Sequence, residues 1–452
     1  MNPRTRTIAL TEGPLLKGLL MLAWPMMISA LLQNLQTVID LFWVGRLGSS
    51  AVAALTLGGT VLMMLFPVVM GLSTGTVAIV SRCVGAGRLD EAAESAGQSL
   101  MAALAVGVLA GFVGWYSADG LCGLLGGVGD VRTLGADYLR ISFVGSAPIF
   151  VLFVGNSILQ SSGNTVIPMY AMVLSNIINL LLAPVFIFGL LGAPALGVKG
   201  AAWAAVISEI IAAAIVIQAL TSGRGGLKIL KVHWRPQWAV AWRVIRIGIP
   251  SSGQMLSRSL MSGVLMRIVA SCGMVAVAGY GIAARFHMVL MMPAFVLGNA
   301  AATVVGQNLG ANRPDRARRA AWLAVLIDLV IMAASAAVLV TWAPQFVRVF
   351  DPNPEVVHAG VSYLRVTSFF YVFAAFSIVL GRALQGAGDT LSPMVTTIIG
   401  LWGVQVPLAF LMARLVNPPM LGIWWSVSIA LTVNGLMVAL WFQTGRWVHK
   451  RV

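Results

Sequence analysis

The chain predicts an all-α integral membrane protein of twelve transmembrane helices, arranged as two pseudo-symmetric six-helix bundles. Composition, charge-free runs and an internal repeat carry that expectation. Of 452 residues, 59% are hydrophobic and only 10% are charged, against roughly 25% charged in a soluble globular domain. A soluble fold of this length would have too little charge to cover its surface. At roughly 20 apolar residues per crossing, the apolar content suffices for about twelve crossings. No charge occurs from Gly18 to Ile39, from Leu47 to Ser81 or from Ser95 to Ala118. The stretch from Ile141 to Val198 is uncharged for 58 residues, enough for two spans. Hydrocarbon offers no partner for backbone N–H and C=O groups, so these runs are helices. They lack the alternation of barrel strands.

Taken in order, the spans fall at about 19–44, 52–80, 95–118, 137–161, 167–190, 200–222, 244–271, 277–307, 320–343, 359–385, 391–414 and 422–444. The first 14 residues, MNPRTRTIALTEGP, are polar. No cleaved signal peptide is expected, and the first span would target the chain. With the N-terminus inside, the inside segments hold 19 Lys/Arg, against five outside at Arg46, Arg132, Lys199, Arg348 and Arg414. That bias predicts both termini in the cytoplasm, an even span number and a multi-pass protein of the cytoplasmic (inner) membrane. It also accounts for the net charge of +15, so no nucleic-acid partner is expected. The segment 223–243, GRGGLKILKVHWRPQWAVAWR, is the longest polar stretch. It reads as a basic amphipathic linker on the inner membrane surface or, equally, as a solvated loop. The expected organisation is a lobe at 1–222, this linker, and a lobe at 244–452.

The two lobes repeat. Tyr138-Leu139-Arg140 recurs as Tyr363-Leu364-Arg365, and Gln160, Gly163, Thr165, Pro168 and Met169 recur as Gln385, Gly388, Thr390, Pro393 and Met394. Every pair is offset by 225, and ten of 32 positions agree between 138–169 and 363–394. The same offset links Pro25 to Pro250, and Gly85-Ala86 to Gly310-Ala311. The offset spans an even number of helices, so the halves share one orientation. Parallel repeats about an axis along the membrane normal are a transporter design, with the substrate site expected near mid-membrane between them.

The segments AWPMMISALLQNLQTVIDLFWVGRLG, IVSRCVGAGRLDEA, ILQSSGNTVIPM, GQNLGANRP and LQGAGDTLSPM together resemble multidrug and toxic compound extrusion (MATE) transporters, especially the DinF-like branch. The resemblance covers nearly the whole chain. It implies a MATE/MOP-type fold and export of cationic, amphipathic organic molecules, driven by proton or sodium influx, with the two lobes rocking in alternating access. No cofactor is expected beyond the coupling ion, a proton or Na⁺, and the protein is expected to be a monomer in the bilayer.

Three carboxylates lie well within spans: Asp40, Glu209 and Asp328. A charged Asp at mid-membrane costs about 2.5–3.5 kcal/mol even on the lenient insertion scale. Such a group is neutral or charged according to its hydration, as proton coupling requires. Gln33 and Gln36 lie seven and four residues before Asp40, on roughly one helix face. That polar stripe faces a cavity, or Asp40 is a helix-end charge near the outer headgroups. Asn176 and Asn179 share a face of span five; Asn156 and Gln160 share one on span four, which has Tyr138 at its outer end. These amides line a site or bridge helices, the latter worth about 0.6 kcal/mol per bond. The resemblance places Gln33, Asp40, Tyr138, Asn156 and Asn179 around a first-half cavity, and makes Pro25 the point at which span one bends. Gln36 and Asn176 are further candidates for substrate binding. Glu209 either assists Asp40 in coupling or pairs with an Arg. Asp328, peripheral in the family, is expected to pair with an embedded Arg. The roles of Arg258, Arg267 and Arg285 stay open. The chain also departs from the family: Ala183 precedes Pro184 where an Asp is common, and Ala201 replaces a hydroxyl residue. A sodium site of two carboxylates is therefore disfavoured.

Other classes are weaker. Gly71-Leu-Ser-Thr-Gly75 matches G-x-S-x-G but lies within a span, whereas a nucleophile elbow needs a strand-turn-helix. Cys83, Cys122 and Cys272 show no CxxC spacing, and no metal site or disulfide framework is expected. The four histidines are scattered, so the chain is expected not to be an enzyme. Trp43, Trp115, Trp342 and Trp447 fall at span ends, where belt anchoring is the ordinary role. A lipid or lipid-linked sugar flippase of the same superfamily is the alternative function, suggested by Arg258, Arg267 and Arg285.

Overall fold

A computed structural model describes residues 10–450. Arg4, Arg6 and Arg451, part of the charge count above, lie outside the described residues. The helices in order are α1 (Leu15–Gly45), α2 (Ser49–Gly85), α3 (Leu89–Leu124), α4 (Gly129–Val144 and Ser146–Ser161), α5 (Val166–Phe188), α6 (Val198–Ser222), α7 (Trp238–Ala270), α8 (Met274–Gly310), α9 (Pro314–Arg348), α10 (Pro354–Ser368 and Tyr371–Gly386), α11 (Leu391–Leu415) and α12 (Pro419–Gln443). Nine of the described helices are long and apolar enough to cross a membrane, and the two bent pairs, α4 and α10, bring the number to eleven. The twelfth is α7. Its 33 residues reach about 50 Å at 1.5 Å per residue, but Arg243, Arg246, Arg258, Arg267 and a run of serines make it too polar to stand out by hydropathy.

The chain forms two compact units. One runs from Leu20 to Gly248, and the other joins Leu10–Leu19 to Ile249 onward. The repeat is visible in the backbone of each. α2 starts after Gly48 at φ 105°, and α8 after Gly273 at φ 98°. Gly87 at φ 74° is matched by Asn312 at φ 57°, and Gly163 at φ 83° by Gly388 at φ 87°. α4 bends by 48° at Gly145, and α10 bends by 58° at residues 369–370. Each of these pairs keeps the 225-residue offset. Tyr138 and Tyr363 hold matching places, each on the first segment of its bent helix. Tyr138 packs against the apolar cluster of its unit that contains Val198; Tyr363 packs against Tyr280 and Trp424 of the other.

Two expectations change, and the linker at 223–243 takes a definite form. It is an ordered strap that holds one short 3₁₀ turn, Lys231–Trp234, and ends where α7 starts at Trp238. Leu227 and Ile229 are buried, and Ser162 Oγ donates to the Gly225 carbonyl at 3.0 Å. Gln98 of α3 holds the rest: its Nε2 donates to the carbonyls of Arg235 (2.7 Å) and His233 (3.3 Å), and its Oε1 accepts from Gln237 N at 2.9 Å. Backbone carbonyls find side-chain donors here, so no helix is needed to satisfy them. Trp447 is no belt anchor: it is fully buried, stacked on Phe442 at 4.6 Å, with Nε1 donating to the Phe442 carbonyl. Asp328 of α9 is fully buried, yet neither oxygen has a partner, so the expected Arg pair is not formed.

The G-x-S-x-G stretch is a packing surface. A methyl group on Gly75 would collide with the Val244 carbonyl, and one on Gly248 with that of Gly71. α2 and the start of α7 therefore cross at backbone contact, which only small residues allow.

Candidate functional site

The candidate residues all belong to the first unit. α1 runs helical through Pro25, whose ring removes one backbone donor; Ser29 Oγ donates to the Pro25 carbonyl at 3.0 Å. Fifteen residues later, Asp40 is half-buried, and its Oδ1 is buried without a hydrogen-bond partner. Asn179 of α5 lies against this carboxyl, short of hydrogen-bond geometry. It is fully buried, and neither its amide nitrogen nor its oxygen has a partner. Glu209 of α6 and Tyr138 of α4 both lie within electrostatic reach of Asp40. Four helices thus contribute to one polar group. No Arg partner of Glu209 occurs among the described residues, and Asp40 is the charge that acts on it.

The apolar frame around this group explains its placement. Tyr138 packs against two apolar clusters, one holding Val44, Ala183, Val198 and Ala201 and the other Ile141, Ala202 and Val206. Gly58 of α2 makes room for the ring, since a Cβ there would fall 2.5 Å from it. Ala183 and Ala201, where the family often has polar groups, are 0% and 2% exposed within that apolar cluster. A second carboxylate at 183 would sit among methyl groups.

The remaining candidates are less closely placed. Asn176 donates Nδ2 to the Met172 carbonyl of its own helix at 2.9 Å, leaving its buried Oδ1 unpartnered. Asn156 of α4 also holds a buried, unpartnered Oδ1. Gln36 is half-buried and Gln33 is exposed; no hydrogen bond ties either to Asp40. Sequence reading missed one residue of interest. Arg382, counted among cytoplasmic loop charges, is a half-buried side chain of α10. Arg267 and Arg285 are exposed, and Arg258 is half-buried. No group of three or more His, Cys, Asp or Glu that could hold a metal ion occurs among the described residues.

An unsatisfied carboxyl beside an amide can bind and release a cation or a proton. Its setting among the membrane helices of a two-repeat fold is that of a transporter. The MatE family model matches residues 25–185 and again 250–411, and the chain belongs to the MatE family. The second match starts 225 residues after the first, so the family unit is the repeat itself. The family's members are transporters, in agreement with the expectation that the chain is not an enzyme. The chain is 26% identical to the probable multidrug resistance protein YoeA of Bacillus subtilis, over 95% of this chain and 93% of that one. It is also 26% identical to the probable multidrug resistance protein NorM of Thermotoga maritima, over 96% and 94%. A crystal structure of MATE in a bent conformation matches with a TM-score of 0.90 and 28% identity, over 97% of both chains.

Proposed function

We propose that this chain is a proton-coupled antiporter of the DinF-like branch that exports small cationic, amphipathic organic molecules. In this reading it works as a monomer in the cytoplasmic (inner) membrane with both termini inside. The multidrug-resistance relatives support the export of drug-like molecules. The observation that carries the coupling is the Asp40–Asn179 pair, with a carboxyl oxygen and an amide all buried and all unpartnered. A buried polar group without a partner is costly, so this arrangement favours taking up either a proton or a substrate cation.

Charged Asp40 attracts the cation. A proton arriving from outside neutralises the carboxyl and turns it into a donor that the Asn179 oxygen accepts. The attraction for substrate is lost, α1 repacks and bends at Pro25, and substrate leaves. Glu209 and Tyr138 tune the charge on Asp40. Asn156, Asn176, Gln33 and Gln36 hold the substrate's polar groups. With Ala183 in an apolar cluster, a proton suits the site better than Na⁺, which needs several hard oxygen ligands.

The test is substrate-induced proton release from purified protein. Wild type releases protons when a cationic dye binds. Asp40→Asn, which mimics the protonated form, releases none and exports nothing uphill, while still inserting and folding. If Asp40→Asn still exports against a gradient, coupling lies elsewhere and Glu209 becomes the leading candidate.

A further inference from the structure

The second unit contains a polar site of opposite sign. Gln254 of α7, 9% exposed, donates Nε2 to the Pro393 carbonyl at 3.0 Å and to Thr397 Oγ1 at 2.8 Å. Its Oε1 accepts from Gln385 Nε2 at 2.8 Å. The Gln385 Oε1 in turn accepts from the Arg382 guanidinium at 3.2 Å. This relay fixes Arg382 at one end. The Arg382 stem lies against Gly298, where a Cβ would come within 2.9 Å of it, and its guanidinium sits 5.8 Å from the Phe295 ring centre.

Arg258 stands one turn beyond Gln254 on α7, and so on the same helix face. It lies within electrostatic reach of Arg382. Arg258 has no hydrogen bond or ion pair among the described residues. The carboxylates of this unit do not serve the two arginines. Glu12 pairs with Arg313 and Asp389 with Lys450, while Asp328 stands alone. Among the described residues, the two half-buried guanidinium groups thus lie near each other with no carboxylate paired to either. Buried charges are ordinarily paired, and like charges in low dielectric are strongly unfavourable. The fold does not require them: the 225-residue offset places Gln33 and Ser157 at the equivalent positions of the first repeat, both neutral.

We propose that Arg258 and Arg382 form an oxyanion-binding site in the second repeat, taking a carboxylate or phosphate group between the two guanidinium forks. Guanidinium binds both groups through paired, parallel N–H···O bonds, and the Gln385–Gln254 relay holds one fork in place. The site does not depend on the direction or coupling of transport. It means that molecules bearing an acidic group, including anionic lipid headgroups, have a place in the second unit.

The test uses the full chain in phosphatidylcholine nanodiscs. Inorganic phosphate should raise the unfolding temperature of wild type beyond sodium chloride of equal ionic strength. Arg258→Gln and Arg382→Gln should lose that response. In the absence of phosphate, Arg258→Gln should unfold above wild type, because the repulsion is gone; a merely structural arginine would give the opposite. Arg258→Lys keeps the charge but not the fork, and should leave a phosphate response smaller than that of wild type. Nanodiscs containing one-fifth phosphatidic acid separate the sources. If they stabilise wild type and erase its phosphate response, a lipid headgroup fills the site; if the response persists, a soluble oxyanion does. The proposal is overturned if neither phosphate nor phosphatidic acid stabilises wild type more than chloride does. It is equally overturned if both Arg→Gln variants respond as wild type does.

Discussion

The proposed coupling through a single carboxyl fixes a stoichiometry that can be measured. Asp40 and Glu209 lie within electrostatic reach of each other in the first unit. Two unit charges in a medium of effective dielectric constant ~20 repel by about 4 kcal/mol at ~4 Å and by less as they separate. If that repulsion leaves the pair one negative charge between them, the cycle exchanges one proton. If one proton enters as one monovalent cation leaves, the membrane potential cancels, because its 2.3 kcal/mol per 100 mV acts equally on both charges. The pH gradient remains, at 1.36 kcal/mol per unit. The ceiling is tenfold uphill accumulation per pH unit, at any potential. The assay is uptake of a monovalent cationic dye into proteoliposomes under an imposed pH difference, with potential clamped by potassium and valinomycin. Glu209→Gln should leave the tenfold slope in place, and Asp40→Asn should abolish it. A hundredfold slope, or a response to the clamped potential, would refute the shared charge and show that both carboxyls move protons.

The remaining predictions concern topology and the strap. Single cysteines at 88, 231 and 316, on a cysteine-free background, should not react with an impermeant reagent added to intact cells; strong labelling at any of them would reverse the orientation. Gln98→Leu removes three hydrogen bonds that hold residues 233–237, each worth about 1 kcal/mol net. Limited proteolysis should then cut between Gly226 and Gln237 much faster than in wild type, with unfolding of the helices unchanged; equal cleavage rates would show that the apolar contacts of Leu227 and Ile229 suffice.

The architecture was legible because a membrane helix and a repeat each leave a signal in the sequence. Charge-free runs mark most spans, and the 225-residue offset predicted matching residues such as Gly163 and Gly388, which share a left-handed backbone. What stayed hidden had no period to reveal it. The strap at 223–243 read as a basic surface linker or a solvated loop by composition, but its order depends on Gln98, which is 135 residues away from His233. Trp447 sits at a span end, as anchors do, and only the fold places it on Phe442. The Asp40 group was named from the sequence because intramembrane carboxyls are rare. Asn179 was set beside Asp40 and Glu209 by the family resemblance; the residue pattern alone does not choose it, since Asn156, Asn176 and Asn179 are chemically alike and differ only in rotation about their helices.

Duplication explains how one fold holds two unlike interiors. The backbone signals that build each unit are kept: the left-handed turns, the bend of the fourth helix, the proline in the first. The side chains at interior positions are not. Asp40 has Leu265 at the equivalent place, Glu209 has Asn434, Gln33 has Arg258 and Ser157 has Arg382. Replacing a carboxylate with Leu or Asn removes negative charge from the second repeat, and two arginines then add positive charge there. The left-handed turns and helix bends are shared by the two repeats in spite of these exchanges. The repeat frees interior chemistry from the demands of architecture. The carboxyl proposed to handle protons in one half and the guanidinium groups proposed to accept acids in the other can therefore coexist on the same scaffold.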